Sequence, residues 1–180
     1  MMVIALRLVI PLSIPRWPLA GGIASMVIDA IDVVLVDMLN LGGFGDYYHQ
    51  LDKVLDAYYL TIQMYVAFGW ESAYARITAG ALYAWRMLGV AVFELTEERA
   101  VLLIFPNVFE NWWLYCVVVI QFFPRLVPHS WKTTLIPLAI LLVPKMIQEY
   151  VLHYAEAQPW HWAKSNMLTV PLRAWPASRL

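Results

Sequence analysis

The residues best placed to do chemistry are aspartates gathered in two short segments. Asp29, Asp32 and Asp37 lie in SMVIDAIDVVLVD, and Asp52 and Asp56 lie in HQLDKVLDAYY. A spacing of three (Asp29, Asp32) or four (Asp52, Asp56) puts both members of a pair on one face of a helix. The stretch LGGFGDYYHQ, broken by Gly42, Gly43 and Gly45, joins the two segments. The helices are therefore expected to be antiparallel neighbours with both acidic pairs at the same end. Carboxylates meeting there repel one another, and some take up protons. A divalent cation such as Mg²⁺ or Mn²⁺ removes the conflict, because hard cations take oxygen ligands. The competing reading is that the acids mark a helix end at water, with Lys53 and Arg99 as counter-ions.

Other charged residues sit in apolar surroundings. Arg86, in ALYAWRMLGVAV, needs a carboxylate, carbonyls or a water-filled cavity; a contact to the acidic cluster, a ligand phosphate or a structural ion pair would each serve. Lys145, Glu149 and His153 recur every four residues on one helix face, as a structural pair with a histidine beyond it or as a proton or substrate path. Glu110 with Asn107 and Asn111 forms a polar notch after Pro106, read as a packing feature. Phosphate-cradling GxxxxGK[ST], HExxH, zinc-spaced Cys/His sets and GxSxG are all missing.

The elements that must position these groups read as helices over 17–39, 52–70, 75–95, 99–123 and 132–154. Apolar residues are 62% of the 180 positions and charged residues 14%, against about half and about a quarter in soluble domains. Ala57 to Trp70, Ala100 to Phe109, Asn111 to Pro124 and Thr133 to Pro144 carry no Asp, Glu, Lys or Arg. Merged with their neighbours, such runs approach the roughly 20 residues that cross a bilayer core of ~30 Å. The fold expected is all-α: a polytopic membrane helical bundle of about five transmembrane helices. Residues 1–156 form one transmembrane domain opened by a short helix that ends near Pro15. Residues 157–180 form a Trp-rich interfacial tail. Pro106 and Pro144 are expected to kink their helices. The expected location is a prokaryotic inner (cytoplasmic) membrane. Lys and Arg divide evenly between the two sides, which leaves the orientation undetermined. Membrane lipids, other membrane subunits or a homodimer partner are the expected partners. The net charge of −1 offers no basic field for nucleic acid, and the lone Cys116 excludes an internal disulfide.

At the aspartate segments the chain resembles the CDP-alcohol phosphotransferase family, whose signature runs D-x2-D-G-x2-A-R, a short gap, then G-x3-D-x3-D. Asp29-Ala-Ile-Asp32 is similar to its first half and Asp52-Lys-Val-Leu-Asp56 to its second, and Arg86 falls where these enzymes often carry a membrane arginine. The resemblance covers roughly residues 1–95. It implies that Asp29, Asp32 and Asp52 hold the divalent metal, that Asp56 is the general base on the alcohol, and that Arg86 and Lys53 help bind the substrate. Val33, Val36, Asp37 and Tyr48 stand where the family has glycine, alanine, arginine and glycine, which points to a diverged or inactive relative. Three functions follow as expectations. The first is a metal-dependent phosphotransferase-like protein. The second is a non-enzymatic accessory subunit of a larger membrane complex, whose aromatic residues pack against partners. The third is a proton- or cation-conducting protein that uses the acidic cluster.

Overall fold

In the computed structural model, residues 2–38, 45–96, 101 and 104–149 are described. Among them the chain is all-helical, with six α-helices and no strand. The order is α1 (Met2–Val9), a 3-10 turn (Ile10–Ser13), α2 (Pro18–Met38), α3 (Gly45–Phe68), α4 (Ala73–Thr96), α5 (Val108–Phe122), a second 3-10 turn (Pro124–Leu126) and α6 (Trp131–Glu149). Local chemistry sets several of these boundaries. Pro18 opens α2, where a missing backbone N–H costs nothing. The Ser72 hydroxyl accepts from the Ala75 N–H at 3.2 Å and caps α4. Ser130 does the same for α6, accepting from the Thr133 N–H at 3.4 Å.

One expected helix is broken. The stretch 99–123 does not run through Pro106: α5 starts only at Val108, with Asn107 at its N-cap position. Proline lacks the N–H that would continue the ladder and disfavours helix at the residue before it, so the chain turns here rather than kinking.

α5 is the axis of the fold. Trp112, Trp113, Phe109 and Cys116 are all fully buried on it, and they pack with Ile14, Leu60 and Met64. Both indoles also satisfy their polar edges. Trp112 Nε1 donates to the Ala75 carbonyl at 3.1 Å and Trp113 Nε1 to the Gln63 carbonyl at 2.7 Å, tying α5 to α4 and α3. Two glycines allow close approach. A Cβ on Gly22 would lie 2.5 Å from the Trp113 ring, and one on Gly89 would lie 2.2 Å from the Phe105 Cβ.

The five transmembrane helices expected from composition are not present among the described residues, where no helix is long and apolar enough to cross a membrane. The physical reasons differ by helix. α5 has 15 residues, which at 1.5 Å per residue spans roughly 22 Å against a core of ~30 Å. α2 carries Asp29 near its middle and Asp32 and Asp37 beyond. α3 opens with Asp46, His49, Asp52, Lys53 and Asp56, and α4 carries Arg76, Arg86 and Glu94. α6 holds Lys132, Lys145 and two internal prolines, Pro137 and Pro144. The expectation merged apolar runs across the break at Pro106, which the fold does not bridge. The polytopic membrane bundle is corrected to a helical bundle on this finding, and the integral-membrane location falls with it. The tail 157–180, expected to lie along an interface, is outside the described residues.

Candidate functional site

The polar centre of the bundle is assembled from single residues on different helices. α1 is apolar except for Arg7 in its last turn, and that side chain is 3% exposed. Its Nη2 donates to Asp29 Oδ1 on α2 and to Asp56 Oδ1 on α3, the latter at 2.6 Å. One guanidinium nitrogen has two hydrogens, so it can serve both carboxylates at once. The side chains of Asp29 and Asp56 are about 30% exposed.

Tyr59 continues this centre inward, one turn after Asp56 on α3. It lines the same small cavity as Arg7 and Asp29, and that cavity has no room for a water molecule. The Tyr59 hydroxyl donates to Glu110 Oε1 on α5, and Asn107 Nδ2 donates to Glu110 Oε2 at 3.2 Å. Burial pushes the Glu110 carboxyl above its usual range; the Tyr59 hydrogen bond and the nearby charge of Lys145 pull it partly back. Burial also pushes the Tyr59 phenol well up, helped by the negative charges of Glu110, Asp29 and Asp56. Lys145, on α6, is buried and close enough for its charge to be felt at Glu110, as is Arg86 on α4. Arg7, Asp29, Asp56 and Glu110 thus bring charged groups from α1, α2, α3 and α5 to this centre, and the charges of Arg86 on α4 and Lys145 on α6 act on Glu110.

Of the four aspartates expected to converge, Asp29 and Asp56 do meet. What lies between them is the Arg7 guanidinium. The side chains of Asp32, Asp37, Asp52 and Glu149, and His153 as a whole, lie outside the described residues. Among the described residues no group of three or more His, Cys, Asp or Glu is gathered closely enough to hold a metal ion. One oxygen of Asp29 and one of Asp56, Oδ1 in each, accept from Arg7. Lys53, expected to bind substrate, bridges to Glu94 at 2.6 Å and lies 4.1 Å over the Phe93 ring, which fastens α3 to α4 on the outside of the bundle. Arg86 donates Nη1 to the Phe105 carbonyl at 3.3 Å.

Sequence reasoning passed over Arg7 and Tyr59 and read Glu110 as packing. The available signal for Arg7 was its isolation: it is the only charge before Arg16 in an otherwise apolar stretch. No family model, no curated protein and no solved structure matches this chain.

Proposed function

We propose that this chain is a non-enzymatic helical subunit, and that the outer face of α6 packs against a helix of a different protein in a larger assembly. The observation that carries this reading is a row on α6. Ile136, Ile140, Val143 and Ile147 are 64%, 67%, 61% and 60% exposed. Their spacing of four, three and four places them within one narrow stripe, the pattern of a helix–helix seam. All four are β-branched, so little side-chain freedom is lost on burial. A protein that left such a stripe in water would aggregate, and its occupant must be apolar and rod-shaped.

Two features of the polar centre support the non-enzymatic reading. Asp29 and Asp56 are already held by an arginine, and the cavity beside them admits no water, much less a nucleotide. The polar groups therefore serve to fix helix positions, which is a known use of buried ionic networks.

The test is the size of the protein as it occurs in its native extract. The tagged full chain is expected to migrate in an assembly far above a dimer of its 20.7 kDa, and Val143→Glu should release it. Magnesium with cytidine diphosphate should leave its melting temperature unchanged, since a ligand stabilises only what it binds. A chain that migrates as a monomer or homodimer, or one that gains several degrees with metal and nucleotide, would overturn the reading.

A further inference from the structure

The helix connections bring positive charge together at one end of the bundle. Residues 69–72 join α3 to α4, and residues 123–130 join α5 to α6. The two connections touch: the Ser72 hydroxyl donates to the Pro128 carbonyl, and the Tyr74 ring stands 5.3 Å from that of Trp131. The start of α2 lies at the same end, because α2 and α3 run antiparallel. Asp29 meets Asp56 through Arg7, and Gly22 comes level with Gln63 through Trp113. Pro18 is therefore level with the last turn of α3.

This end is basic and aromatic at once. Arg16, Arg125 and Lys132 are exposed on it, and Arg76 is half-buried. Across residues 14–25, 65–78 and 118–135 the one carboxylate is Glu71. Among the described residues Arg16, Arg125 and Lys132 form no ion pair. Trp17, Phe68, Phe122, Phe123 and Trp131 stand among these cations with 54–63% of their surface exposed. The Arg16 guanidinium lies 5.8 Å over the Trp17 ring. Indoles favour the headgroup zone of a bilayer, where one edge is apolar and the other wet. Lysine and arginine beside them are drawn to acidic lipids.

We infer that this end of the bundle docks on an anionic lipid surface, with the exposed rings in the headgroup layer and Arg16, Arg125 and Lys132 on the lipid phosphates. The rings alone would match any bilayer; the unpaired cations select a negative one. No helix crosses the bilayer in this arrangement. The stripe on α6 begins more than a turn beyond Trp131 and stays open to a protein neighbour, so the docking does not rest on that seam.

The test uses the full-length protein, diluted from a non-ionic detergent onto vesicles of phosphatidylcholine alone or mixed with phosphatidylglycerol, with binding read by flotation. Each cation near an anionic membrane strengthens partition about fivefold. Arg16→Gln, Arg125→Gln and Lys132→Gln combined should therefore lose about a hundredfold on the acidic vesicles, and the three side chains are exposed, so the fold should survive. High salt should weaken the wild-type protein in the same direction. Orientation is read with an environment-sensitive dye attached through Phe123→Cys at this end or Leu95→Cys at the far end of α4, Cys116 being buried. Emission should shift to the blue on acidic vesicles at position 123 and stay unchanged at 95. Equal binding to both kinds of vesicle, a combined variant that binds like the wild type, or a shift at position 95 would each overturn the inference. Binding to soluble polyglutamate and not to vesicles would overturn it too, by making the occupant an acidic protein.

Discussion

Arg7 decides what the acidic residues of this protein can do. Asp29 and Asp56 would repel if they met alone, and the guanidinium between them converts that repulsion into a three-helix clasp of α1, α2 and α3. Replacing Arg7 with Met keeps the apolar stem and leaves two carboxylates facing each other. Removing one partner from a buried ionic group costs about 3–5 kcal/mol; with carboxylates this exposed, about 2 kcal/mol is the discounted expectation. The melting temperature of Arg7→Met should therefore fall by roughly 4–8 °C, measurable by calorimetry. Glu110 gives the second expectation at this scale. Burial raises its folded pKa above the unfolded value of about 4.5. Its contribution to stability is then complete below the unfolded pKa and is lost as pH rises through the folded one. The stability difference between wild type and Glu110→Gln, followed by urea midpoints, should move in favour of the wild type as pH falls from neutral. A difference independent of pH would contradict this. The meeting of Asp29 with Asp56 was legible from i,i+3 and i,i+4 spacing and a short Gly-rich connection. The group between them was not, because nothing in a linear pattern says that the one charge of α1 folds back across α2.

At the scale of the element, α2, α3, α4 and α6 lie close to the helices expected, because polar punctuation separates their apolar runs. Trp70-Glu71-Ser72 ends one helix and caps the next, and Ser130 starts α6. The stretch 99–123 misled for a definite reason. Its apolar pattern passes through Pro106 without a change of period, while the backbone cannot, so a single span became a turn followed by α5. The role of α5 as axis was equally hidden. It depends on Gly22 and Gly89, where the lack of a Cβ lets Trp113 and Phe105 approach, and on the indole N–H groups of Trp112 and Trp113 reaching carbonyls on other helices. Those are pairings across the fold, and a helical period carries no information about them. The stripe Ile136, Ile140, Val143 and Ile147 is periodic, yet only the structure separates it from the side of the same helix whose Leu138 and Leu141 pack against the core.

For the whole molecule, a composition 62% apolar is divided between a core around α5 and an outer surface that still bears many large apolar side chains. Composition reports the total and not the arrangement, which is why it favoured membrane spans that no described helix is long and apolar enough to supply. If the outer stripe on α6 is a seam, its neighbour in the native assembly is another polypeptide. Placing the photo-crosslinking residue benzoylphenylalanine at Ile140 in the purified native assembly, and identifying the adducts by mass spectrometry, asks this directly. The account predicts one stoichiometric polypeptide, different from this chain, joined at position 140. Adducts to lipid or detergent alone, or to a second copy of the same chain, would contradict it.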